Sequence, residues 1–246
     1  MINLETVKRN IVRMLSPLLQ QGWILSGGGK FRYRFAVLKE FNINTPWRSF
    51  NQSFDCKVFE SRVLHELIYH RQAIPLRCLA CWKIVCHPRT YMELRAVEEY
   101  QARSPWESKC GMETRDHVPF AWGAYWYCAD EKDGRHKLGI LREWLVRTLG
   151  HDADIKLKRG CTEFEYRVGP STTWKSFVGQ EEVEEYVRSV VEVVPWIGDP
   201  PEMMVHEIHQ KWIEHAHAIG DMSYVEETGR PLFGELVGYG EGEDDE

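Results

Sequence analysis

The chain has 246 residues, 43% of them hydrophobic, and a formal net charge of -6, so one large domain or two small ones can bury an ordinary core without a metal to make it fold. No apolar run has membrane-spanning length, and Met1 to Arg9 is charged where a secretion signal is apolar, so the expected setting is reducing and cytoplasmic, with no membrane. In that setting seven cysteines, an odd number, read as metal-binding or catalytic rather than as a disulfide framework.

The net charge hides a gradient. Residues 1–89 hold 14 Lys and Arg against 5 Asp and Glu, residues 90–180 are balanced at 14 and 14, and residues 181–246 hold 3 against 18. A basic front of this kind suits a polyanion, either nucleic acid or an acidic protein surface.

In chain order, Leu4, Val7, Ile11, Met14, Leu15 and Leu18 recur at helical spacing and predict an amphipathic helix over about 4–20, bent or ended by Pro17. Trp23-Ile24-Leu25, three glycines and then the alternating Lys30 to Val37 predict a β-hairpin. Lys30, Arg32 and Arg34 line one side of its second strand as a candidate phosphate-binding stripe; Phe31, Tyr33 and Phe35 line the other. A helix follows over about 56–73.

Cys78-Leu-Ala-Cys81 comes next, and two thiolates two residues apart can bite one ion. With Cys110 and Cys128 they make a four-ligand set that could hold zinc or an iron–sulfur cluster, with Cys86 and His87 in reserve. Thr90 and Glu93 form a capping box for a helix over about 91–103. Phe120, Trp122, Tyr125 and Trp126 mark a buried strand. Just before it, Asp116-His117-Val118-Pro119 resembles the first part of an HNH-type nuclease motif. That resemblance implies a general base at His117, with Asp116 beside it, and cysteines holding a structural zinc nearby.

Asp130 caps a helix over about 131–149 that Gly150 stops. Ile155 and Leu157, then Phe164, Tyr166 and Val168, alternate as two strands around Arg159-Gly160. Val183, Val187, Val190 and Val194 predict a helix ended by Pro195, and Gly198 to Pro201 a linker. A last helix spans about 202–219, where His206 and His209 could share an ion but read better as a solvated face, and the glycine-rich end closes on an acidic tail.

The fold expected is α+β with a mainly antiparallel sheet, several packed helices and a cysteine metal site. Its expected parts are a core over 1–194, a linker and packed C-terminal helix over 195–233, and a tail over 234–246. The function expected is a metal-stapled binding protein that engages a polyanion through its basic N-terminal region. The alternatives are a metal-dependent enzyme, either an iron–sulfur protein or an HNH-like nuclease, and a metal-free structural or inhibitory protein acting through its acidic C-terminal face.

Overall fold

A computed structural model describes residues 2–21, 23–34, 46–52, 56–194 and 202–234. The expected strand end at Phe35 to Val37, the linker from Gly198 to Pro201 and the acidic tail beyond Gly234 lie outside the described residues. The fold is α+β, with a mainly antiparallel five-stranded sheet and a smaller mixed one.

The N-terminal part packs around the smaller sheet. Helix α1 (Leu4–Leu19) starts where Asn3 accepts the Thr6 N–H at 2.9 Å, and it buries Val7, Ile11, Leu15 and Leu18. Strands β1 (Ile24–Leu25) and β2 (Phe31–Arg34) form the expected hairpin, with Ile24 opposite Arg32. Residues Lys57–Ile68 form a π-helix, closed by i→i+5 bonds such as Tyr69 N–H to Leu64 O at 2.8 Å. Helix α6 (Gln180–Val190) completes this core, in which Phe31, Val63, Leu64, Val183 and Val187 are buried together. The helix expected to run to Val194 stops at Val190. The β-branched Val191, Val193 and Val194 instead belong to strand β8 (Val191–Val194), parallel to β2.

The five-stranded sheet has the order β3-β5-β6-β4-β7, with all four neighbouring pairs antiparallel. Its strands are β3 (Trp47–Phe50), β4 (Trp82–Cys86), β5 (Ser108–Met112), β6 (Trp122–Cys128) and β7 (Lys156–Arg159). Helix α3 (Tyr91–Arg103) joins β4 to β5, and α4 (Glu131–Leu149) joins β6 to β7. The run from β4 to β7 is thus a βαββαβ unit whose first and third strands are central, the split-βαβ arrangement. Both connecting helices start as their caps dictate: Thr90 accepts from Glu93 N–H at 3.2 Å and Asp130 from Asp133 N–H at 2.8 Å.

Period-two alternation divides the sheet into two faces. Ile84, Cys86, Cys110, Trp122, Ala124 and Trp126 turn to the helices, where they bury against Leu94 and Val97 of α3, Leu141 and Leu145 of α4, and Trp212 of α7 (Glu202–Ala218). Gly134 lets α4 lie close on β7, since a Cβ there would meet Leu157 Cδ1 at 2.5 Å. The opposite face carries the residues in between.

The strand expected over Phe164 to Val168 is instead helix α5 (Thr162–Val168). Its apolar alternation is too short to decide between periods, while the i,i+4 pair Arg167–Glu163 at 2.7 Å and an acidic first turn both favour a helix. Short helix α2 (Leu76–Leu79) leads into β4, and α8 (Val225–Thr228) ends the described chain's secondary structure.

Candidate nucleic-acid interface

The cysteines set out as one metal set are distributed over the fold. Cys110 pairs with Ala124, and Cys128 lies four residues further along β6, roughly 13 Å away at about 3.3 Å per residue. Sulfurs sharing one tetrahedral zinc sit only about 3.8 Å apart, from zinc–sulfur bonds of about 2.3 Å, so Cys110 and Cys128 do not fit one ion. Cys78 is buried in α2 among Ile74, Phe164 and Trp174, and burial pushes its thiol far up. Cys81 is raised by the same cause, and Cys128 is pushed up to about 11. Cys86 is fully buried on the helix side of β4, and His87 stacks on Phe120 at 3.8 Å. Among the described residues no three of His, Cys, Asp and Glu are grouped to hold a metal ion. Cys86 and Cys110 are buried in the core beneath the sheet, where cysteine packs as a small apolar side chain.

The N-terminal basic stripe is also divided. Arg32 is taken by Glu192 across β8, with Nε and Nη2 both 2.8 Å from Oε2. Lys30 is exposed in the turn before β2, and Arg34 closes that strand. His209, read as part of a solvated face, bonds Glu98 instead at 2.8 Å. Asp116 and His117 sit in the loop between β5 and β6. His117 stacks flat on Tyr166 of α5, with centroids 4.3 Å apart, and its Nε2 is 4.0 Å from Glu163 Oε2.

The sheet face turned away from the helices collects cations and rings instead. Register puts Lys83 opposite both Tyr127 and Lys158, Val85 opposite both Tyr125 and Lys156, and Lys109 opposite Tyr125. Trp47 joins them from β3, its ring centroid 5.5 Å from that of Tyr125. Lys83 Nζ lies 5.1 Å from the Tyr125 centroid, and Lys109 Nζ lies 4.8 Å from that of Trp47. The Tyr125 hydroxyl accepts from Arg115 Nη2 at 3.0 Å and donates to Glu113 at 3.2 Å, fixing the ring in the floor. Tyr125, Val85 and Lys83 are buried; Trp47, Lys109, Arg115, Tyr127 and Lys158 are half-buried around them, and Lys156 is exposed.

Five cations, Lys83, Lys109, Arg115, Lys156 and Lys158, stand at this face against the three carboxylates Glu113, Asp154 and Glu165. The carboxylates beside it are taken: Glu113 by Arg115, Glu165 by Lys158, and Asp154 by Lys156 at 2.8 Å. Lys83, at 7% exposure, faces Lys158 across the strand pair, and like charges directly opposite in a sheet are destabilising. Burial first, and then the Lys83 charge, pull the Lys158 ammonium down to about 8 despite its contact with Glu165. The signal missed in the sequence was lysine at alternate positions: Lys83 between Trp82 and Ile84, Lys109 between Ser108 and Cys110, and Lys156 and Lys158 about Leu157.

Comparison of the chain with protein-family models, curated proteins and solved structures gives no match in any of the three. No helix among the described residues is long and apolar enough to cross a membrane.

Proposed function

We propose that the chain binds single-stranded nucleic acid across the face of β3, β5, β6, β4 and β7 that is turned away from the helices. The observation that carries this reading is the placement of Lys83 directly opposite Lys158, with Lys156, Lys109 and Arg115 around them. A sheet that holds like charges opposite each other gives up stability, and a polyanion laid over it relieves the repulsion. Half-buried Trp47 and Tyr127 add ring surface to the cations, the combination that single-strand binders use and that a purely acidic protein partner would not require. Five strands spaced about 4.8 Å apart span roughly 19 Å, room for a short stretch of extended strand. The surface pair Lys156–Asp154, at 51% and 54% exposure, is weak enough for Lys156 to exchange its carboxylate for a phosphate.

The test is titration of a fluorescently labelled 12-nucleotide single strand, and of its duplex, at low ionic strength. Binding of the single strand that weakens in Lys156→Gln/Lys158→Gln, while Lys30→Gln changes it little, is the expected result. Absence of binding at low salt, or a larger loss from Lys30→Gln, would overturn the reading.

A further inference from the structure

The cleft between the β5–β6 loop and α5 adjoins the cationic face and differs from it in charge. It is lined by Thr114, Arg115, Asp116, His117, Glu163 and Tyr166, and Arg115 joins the two places by bonding Tyr125 on the face. Tyr166 is 70% exposed, yet one side of its ring is held against His117, with the planes only 9° from parallel. The other side is a fixed aromatic surface open to a further ring. His117 Nε2 is buried with no hydrogen-bond partner among the described residues, and Asp116 is exposed at the cleft. Glu163 Oε1 is occupied by Arg167 at 2.7 Å. The Arg115 guanidinium is held by Glu113 through both Nε and Nη2.

A phosphate would meet the exposed Asp116 here, with the Arg115 guanidinium paired by Glu113 and Glu163 paired by Arg167, so the cleft offers the backbone no free cation. A flat, uncharged ring with N–H donors on its edge satisfies both the stacking surface and the carboxylates. We infer that this cleft takes one unpaired nucleobase carrying an exocyclic amino group, stacked on Tyr166 with its amino edge towards Asp116. The inference rests on the single-strand reading of the sheet face: the face holds the backbone, and the cleft selects the base that leaves it.

Full-length protein titrated with oligodeoxycytidine and oligothymidine 12-mers tests this directly, since both are pyrimidine strands and only cytosine bears the amino group. The expected result is roughly tenfold tighter binding of the cytosine strand, about the worth of one stacked and hydrogen-bonded base. That preference should vanish in Tyr166→Ala, shrink in Asp116→Ala, where no acceptor is left for the amino group, and persist in Tyr166→Phe. Equal affinity for the two strands, or a preference that survives Tyr166→Ala, would overturn the inference while leaving the face reading intact. Failure of both strands to bind would remove the two together.

Discussion

Replacing Lys83 by methionine separates the folding role of the sheet face from the binding role proposed for it. Lys83 is 7% exposed on a central strand, lies over the Tyr125 ring and faces Lys158, with the adjacent carboxylates Glu113, Glu165 and Asp154 held by other cations. Methionine keeps the length and packing of the stem and removes the charge. Opposed like charges in a sheet cost about 0.2–1 kcal/mol, so Lys83→Met should be more stable by that amount, a rise of about 0.4–4 °C in Tm for a chain of this size. The same change should weaken single-strand binding and reduce the slope of log K against log salt by about 0.7, the share of one phosphate contact. Calorimetric melting and salt-dependent titration of one preparation give both numbers. A variant that loses stability and keeps its affinity would refute the reasoning, because Lys83 would then be a structural side chain with an unrecognised partner.

Two other outcomes follow from the titrating groups. Lys158 is depressed to about 8 in the free protein, and a bound polyanion favours its charged form, so strand binding takes up a proton above that value. Affinity should hold steady from pH 6 to 7 and fall as pH rises through 8, and Lys158→Gln should flatten that fall; a profile equally steep in the variant would contradict it. In the N-terminal core Glu60 is 1% exposed, with Oε2 unpartnered among the described residues, and burial pushes its carboxyl up to about 7. Arg188, 3.4 Å from Oε1, opposes that shift, and Glu184 adds to it. Because the folded value lies above the ordinary 4.5, the folded state binds the proton more tightly. Its stabilising share is present below about pH 4.5 and is lost as pH climbs through 7, by about 3 kcal/mol in all. Chemical denaturation across that range should show the decline in the native protein and a shallower one in Glu60→Gln.

What the sequence made legible was local. Caps at Thr90 and Asp130 and the amphipathic run from Leu4 to Leu18 placed three helices, because a cap and a period are properties of neighbouring residues. The buried strand around Trp122 to Trp126 was legible for the same reason. Where local signals were short, tertiary pairing decided. Val191 to Val194 continued a helical valine pattern, yet β2 offered a strand edge and took them. Phe164 to Val168 alternated like a strand and folded as a helix that covers one end of the sheet face with Glu165 on Lys158.

The candidate site was obscured by two features of linear order. Cysteine clustering between residues 78 and 128 suggested convergence, but β4, β5 and β6 run past one another and separate Cys110 from Cys128 along a strand. The basic excess of residues 1–89 pointed to Lys30, Arg32 and Arg34, while register with β8 paired Arg32 to Glu192. The cations of the interface come one or two at a time from β4, β5 and β7, and only the sheet order β5-β6-β4-β7 brings them together. Asp116 and His117, noticed as a nuclease-like pair, line the cleft beside that face, where His117 supports the Tyr166 ring.

If the sheet face opposite α3, α4 and α7 holds the phosphates of a single strand, strand affinity depends on salt. The expected result is a linear fall of log K with log salt for the native chain, with a slope near -0.7 for each phosphate held, reduced by about 1.4 in Lys156→Gln/Lys158→Gln. An affinity independent of salt, or a slope unchanged by removing those two lysines, would contradict it.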